Sequence, residues 1–188
     1  MAIQSDIQIK QGDLLLSEPF MRDTHFKRTV ILICEHNELG SAGLILNQSA
    51  GMTIADAIDT FPQVESDLFF GGPVETELLF YVHTLGEKIP GSKHIIDNIY
   101  WGGDFEQMKF LLDTKQVGKN DIRFFAGYSG WGPGQLKAEH DTNSWIVTPA
   151  THSFVFESNY KHLWKSVLRS MGKSFGNIAN YPEDPMLN

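Results

Sequence analysis

The stretch Ile122-Arg123-Phe124-Phe125-Ala126-Gly127-Tyr128-Ser129-Gly130-Trp131-Gly132-Pro133-Gly134-Gln135-Leu136 decides how this chain of 188 residues is read. Residues Ile122 to Phe125 are mostly β-branched or aromatic and suit a half-buried strand. Pro133 pre-sets the φ of a first helical turn, so a helix is expected from near Gly134. Between the two the sequence predicts a strand-to-helix corner. Gly127, Gly130, Gly132 and Gly134 give that corner access to positive φ and to close backbone approach, at a cost in chain entropy that implies a demanding local path. Turns of this kind are also where ligands often bind.

Three chemistries compete for the corner. Ser129 in Gly127-Tyr128-Ser129 could be a nucleophile on a strained elbow, but that motif needs a small residue two places on, where this chain has Trp131. The glycines could cradle a phosphate, yet Gln135 stands where a dinucleotide fingerprint wants glycine. The Gly-Lys pair of a P-loop is missing too, and no cation lies between Arg123 and Lys137. In the leading reading Tyr128 and Trp131 pack across the turn and the glycines let backbones approach. A second stiff corner, Gly71-Gly72-Pro73-Val74, is expected to be its neighbour. At least one glycine of the first corner should then take positive φ.

Working outward, Leu14-Leu15-Leu16, Arg28 to His36 and Leu44-Ile45-Leu46 read as strands, the last two as a hairpin covered on both faces. Thr53-Ile54-Ala55-Asp56 resembles a capping box that opens a helix ending at Pro62. Further strands are expected at Leu68 to Phe70, Leu78 to Val82 and His94 to Ile99. Asp104 should then cap a helix that turns Phe105, Met108, Leu111 and Leu112 inward. After a short helix from Gln135 to His140 and a strand at Trp145 to Val147, one long helix should bury Tyr160, Leu163, Trp164, Val167, Leu168 and Met171 and stop at Gly172. Hairpins mixed with irregularly placed helices indicate an α+β fold, residues 1–188 forming one domain with a loosely held tail from about 176.

Composition limits the partners. The formal charge is −8, so a diffuse positive field for nucleic acid or anionic lipid is missing, and neither is expected as a partner. Lys161, Lys165, Arg169 and Lys173 form the one basic stripe that could meet a phosphate backbone. The single cysteine, Cys34, excludes an internal disulfide and suits a reducing compartment. With neither a signal-peptide pattern nor a membrane-length apolar run, the expected location is the cytoplasm. Cys34 and His36 could be two ligands on one strand face, but two ligands do not make a metal site, and no metal or cofactor is expected. Glu139-His140-Asp141 gathers acid and base types on neighbouring helical positions that point apart.

Phe26 to Val30, Cys34-Glu35-His36, Gly43 to Asn47, Gly71-Gly72-Pro73-Val74, Gly127 to Leu136, Glu139 and Trp145 together carry a family likeness. The chain resembles the AlgH/YqgE family from about Gly12 to Gly172. That resemblance implies a single α+β domain whose branched, mixed sheet is partly barrel-like and flanked by helices, in a cytosolic bacterial protein. The family is functionally uncharacterised and carries the label of transcriptional regulator. Two departures are that Gln48-Ser49 replaces an expected Arg-Pro-like pair, and that Ser129 stands where alanine is common. The resulting expectation is a non-enzymatic binding or regulatory protein with an unidentified protein or small-molecule partner, its oligomeric state left open with a monomer plausible. Its ligand-facing surface would join Asn47, Gly72, Pro73, Tyr128, Ser129, Trp131, Gln135 and Glu139, none of them catalytic. The competing expectations are a hydrolase-like enzyme using the same cleft, with Glu139 or a histidine as base, and a direct DNA-binding regulator.

Overall fold

A computed structural model describes residues 7–118 and 120–182. In chain order the strands are β1 (Asp13–Ser17), β2 (Val30–Asn37), β3 (Gly40–Ile45), β4 (Ser49–Thr53), β5 (Asp67–Phe70), β6 (Val74–His83), β7 (Lys93–Ile96), β8 (Ile99–Trp101), β9 (Ile122–Trp131) and β10 (Trp145–Pro149). The α-helices are α1 (Ile54–Ala57), α2 (Phe105–Asp113), α3 (Gln135–Asp141), α4 (Leu163–Ser170) and α5 (Lys173–Ile178). The strands form one sheet in the order β10-β1-β2-β3-β9-β6-β8-β7, antiparallel along that path, with β4 and β5 off it. The α+β class and the branched, mixed sheet flanked by helices are as expected. The sheet is not closed into a barrel, because among the described residues β10 and β7 end the strand order unjoined.

The branch lies on β9. One edge of this strand pairs with β6; the other is taken first by β5, in parallel at Phe124 to Ala126, and then by β3, antiparallel at Ser129 to Trp131. β9 therefore belongs to both halves of the sheet.

Period-two alternation divides the core. Leu14, Leu16, Val30, Leu32, Cys34, Leu44 and Ile146 face one side, where Trp164, Val167 and Leu168 of α4 and Ile178 of α5 cover them. Leu15, Ile31, Ile33, Ile45 and Val147 face the other, under Leu136 of α3 with Met21 and Phe26. Coverage of both faces explains the unbroken apolar runs in β1 and β2. A third cluster joins Leu68, Tyr81 and Phe124 to Ile54 of α1 and to Met108, Leu111 and Leu112 of α2. Each fully buried Leu, Ile or Phe here contributes about 1.5–3 kcal/mol of transfer free energy.

Several expectations are corrected. β9 does not end at Phe125 but runs on to Trp131, because β3 and β6 supply ladder partners to the glycine-rich half. The turn proper is only Gly132 to Gly134, and α3 starts at Gln135 with Gly134 in the left-handed conformation. The capping box at Thr53 is present with both bonds, yet α1 is four residues long and Ile58 is already extended. His94 to Ile99 is a hairpin rather than one strand, since Asp97 turns the chain at φ 48° and Ile96 pairs with Ile99. Phe105, at the first position of α2, is 36% exposed rather than inward.

The last helix is divided as well. A 3-10 turn, Tyr160–His162, leads into α4, and Gly172 at φ 103° separates α4 from α5. The described part of the tail is held rather than loose: Ile178 and Ala179 are buried, and Nη2 of Arg28 donates to the carbonyls of Tyr181 and Pro182, each at 2.7 Å. Residues 183–188 of the expected loose tail lie outside the described residues. A π-helical turn, Ser153–Glu157, had no signal in the sequence.

Candidate functional site

The two glycine corners meet. Gly71 follows β5 at the point where β3 replaces it on the edge of β9. Its N–H donates to the Ala126 carbonyl at 2.9 Å, and its own carbonyl accepts from the N–H of Ile45 at 2.9 Å and the hydroxyl of Ser129 at 3.1 Å. A Cβ on Gly72 would overlap the carbonyl group of Tyr128 and the nitrogen of Ser129, so only glycine permits this crossing. Gly127 takes φ +68°, and a Cβ there would lie 2.6 Å from the Gly72 carbonyl oxygen and 2.8 Å from that of Val74. The expected neighbourhood of the corners and a positive-φ glycine are both present. Ser129 is fully buried, and its hydroxyl is a strut of the crossing.

Strand geometry sends Tyr128 and Trp131 to opposite faces. Tyr128 is half-buried and meets Phe80 edge-on at 5.4 Å. It is the backbone of Tyr128, not its ring, that abuts Gly72. Trp131 is buried among Phe26, at 6.3 Å, and Trp145, at 6.0 Å, in the cluster under α3.

Glu139 ties that second group together. Its Oε2 accepts from the indole N–H of Trp131 at 2.9 Å and of Trp145 at 2.8 Å, while its Oε1 accepts from the Gln135 amide at 3.0 Å. Gln135 in turn accepts from the N–H of Gly132 at 3.0 Å. One carboxylate thus locks the start of α3 to β9 and β10 through charge-assisted bonds. His140 is buried, with Nδ1 3.1 Å from the Trp145 carbonyl.

Asn47 belongs to neither group. Its side chain accepts from the N–H of Val30 at 2.8 Å and donates to the Arg28 carbonyl at 2.9 Å, closing the entry to β2. The eight expected ligand-facing residues therefore fall into three settings: Gly72, Pro73, Tyr128 and Ser129 at the crossing, Trp131, Gln135 and Glu139 at α3, and Asn47 at β2. Cys34 and His36 are not brought together either. A register shift between Ile33 and Glu35 leaves Cys34 buried and His36 exposed, 2.7 Å from the Ser41 hydroxyl. Among the described residues no group of three or more His, Cys, Asp or Glu could hold a metal ion.

Glycines also open a hollow on the Tyr128 face. Where β3 pairs with β9, Gly40 and Gly130 contribute no side chains, and a space of about 480 Å³ opens between Tyr128, Trp131, Val74, Glu35 and Leu39, the last 85% exposed at the tip of the β2–β3 hairpin. The AlgH-like family profile matches residues 14–176, which takes in both glycine corners and all of the strands but the first residue of β1.

The chain belongs to the AlgH-like family. It is 41% identical over 181 residues to a UPF0301 protein of Chlorobium limicola, covering 96% of this chain and 97% of that one. A UPF0301 protein of Cytophaga hutchinsonii is also 41% identical, across its whole length and 96% of this chain. Among solved structures, a protein from Corynebacterium diphtheriae aligns with TM-score 0.76 at 25% identity, over 93% of this chain and 94% of that one. The AlgH protein of Pseudomonas aeruginosa aligns with TM-score 0.73 at 25% identity, over 91% and 93%.

Sequence reasoning on this AlgH-like chain passed over three residues. Arg123 sits on β9 beside Phe125 in the alternation, and a cation at a core-facing position was the available signal. Arg28, at φ 51°, places its guanidinium 4.8 Å from the Trp164 ring, and its buried Nε has no partner among the described residues. His83, fully buried at the end of β6, accepts at Nδ1 from the N–H of Leu85 at 3.2 Å, so Nε2 carries the proton and donates to the Gly102 carbonyl at 3.0 Å. Among the described residues no helix is long and apolar enough to cross a membrane.

Proposed function

We propose that this AlgH-like protein is a non-enzymatic binding protein of the cytoplasm, and that its partner seats in the hollow beside the β3–β9 ladder. One observation carries the reading: beside the β3–β9 ladder Gly40 and Gly130 carry no side chains, and the space left there is walled by half-buried Tyr128 and exposed Leu39. Glycine in a strand is costly to order, so a purpose beyond packing is favoured where it also opens a concave surface. The hydrogen-bonding side chains around it support binding over chemistry, since the Ser129 hydroxyl and the Glu139 carboxylate hold the scaffold. Any regulatory role would then run through the bound partner.

The test is a thermal-shift screen of metabolites and short peptides on the wild-type chain and on Gly130→Val, which fills the hollow from its floor. A ligand that binds only the native state raises the midpoint by mass action. Hits lost in Gly130→Val support the reading. A screen in which no hit is lost in Gly130→Val, or a lost hit that the wild-type chain chemically converts, overturns it.

A further inference from the structure

Arg123 lies at the head of a separate cavity of about 280 Å³, on the far side of β9's pairing with β5. Its guanidinium stacks over the Phe69 ring at 4.1 Å. One N–H on Nη1 donates to the Val155 carbonyl and one on Nη2 to the Leu46 carbonyl, both at 2.7 Å. A guanidinium has five N–H donors, so three remain without a protein acceptor among the described residues. Nor does Arg123 form an ion pair among those residues. Burial pulls its pKa down to about 10 against the opposing pull of Asp67. The guanidinium is half-buried with no carboxylate in direct contact among the described residues, and the cavity leaves room for one.

The rest of the lining narrows the ligand. Exposed Asp67 and Glu65 stand at the same cavity, so a simple anion would meet two carboxylates and a simple cation would meet Arg123. Phe69 and Phe156 supply apolar walls. A volume of about 280 Å³ lies just below the usual range for ligand sites, which begins at about 300 Å³, so only a small ligand fits. We propose that this cavity binds a zwitterion of amino-acid size, with its carboxylate on the open N–H groups of Arg123 and its ammonium between Asp67 and Glu65. The site is independent of the glycine hollow, and either can fail without the other.

The experiment is isothermal titration calorimetry of the full chain against the common L-amino acids, each at up to about 10 mM. For any amino acid that binds, its N-acetyl derivative and its primary amide follow, one lacking the ammonium and the other the carboxylate. The expected result is saturable binding of at least one amino acid, weakened about tenfold or more by either blocking group. Asp67→Asn should weaken it to a similar degree. Among the described residues the Asp67 carboxylate forms no hydrogen bond or ion pair, so that variant stays folded even where Arg123→Lys does not. Failure of every amino acid to bind, or binding indifferent to N-acetylation and to Asp67→Asn, overturns the proposal.

Discussion

Ser129 donates its hydroxyl to the carbonyl of Gly71 at 3.1 Å, both residues being buried where three strands share β9. That carbonyl also accepts from Ile45, so losing the hydroxyl leaves no orphaned acceptor. Ser129→Ala should therefore cost about 1 kcal/mol, an ordinary buried hydrogen bond. Gly72→Ala should cost more than about 3 kcal/mol or abolish folding, because its Cβ would collide with rigid backbone that no rotamer change can clear. Urea denaturation of both variants checks the order. Equal costs would mean that the crossing can slide apart.

α4 docks through Trp164. The ring is buried, its N–H donates to the Ser17 carbonyl at 3.0 Å, and Arg28 lies over its face. Trp164→Ala should destabilise by about 3–5 kcal/mol, the range for deleting a large buried aromatic. The neighbouring Lys165 is exposed, and Lys165→Ala should stay within about 0.5 kcal/mol. Chemical denaturation giving similar values for both would contradict the packing of this helix.

His83 makes stability fall in acid. Burial lowers its pKa below the ordinary 6.5, partly offset by its bond to the Gly102 carbonyl. Above pH 6.5 the group is neutral in both states and has no effect on the balance. As pH falls through 6.5 the unfolded chain takes up a proton that the folded chain refuses, so stability declines until the folded pKa is reached. Melting scans from pH 7.5 to 5 on wild type and His83→Gln should show a steeper acid loss in wild type. Parallel curves would place the acid sensitivity elsewhere.

Local pattern carried some of this structure and non-local pairing the rest. The faces of β1, β2, β3 and β10 follow from alternation alone, as Leu14 to Leu16 and Val30 to Cys34 show. So do the caps Thr53 and Asp104, whose side chains accept from nearby N–H groups. β9 was misjudged because Gly127 and Gly130 read as a turn when only their own propensities count. Hydrogen bonds from β3 and β6, remote in sequence, keep them in a strand. That continuity turns the Tyr128 and Trp131 side chains to opposite faces, although both residues border the hollow beside β3. Arg123 was in plain view, but its acceptors Leu46 and Val155 lie 77 and 32 residues away.

Glu139 should matter to stability more than its surface position on α3 suggests. It is half-buried, and its Oε2 accepts from two indoles that belong to different strands, Trp131 on β9 and Trp145 on β10. Glu139→Ala leaves both indole N–H groups in an apolar setting without that acceptor, at about 1–3 kcal/mol for each one left unsatisfied. Glu139→Gln keeps an oxygen acceptor and the same length but loses the charge assistance, so it should cost about half as much or less. Because the readout groups are themselves tryptophans, both variants should change the indole fluorescence, which reports whether the N–H groups gain water. The measurement is urea denaturation followed by fluorescence and, separately, by far-UV circular dichroism. If Glu139→Ala and Glu139→Gln unfold at the same midpoint as wild type, the carboxylate is not what fastens α3 to β9 and β10.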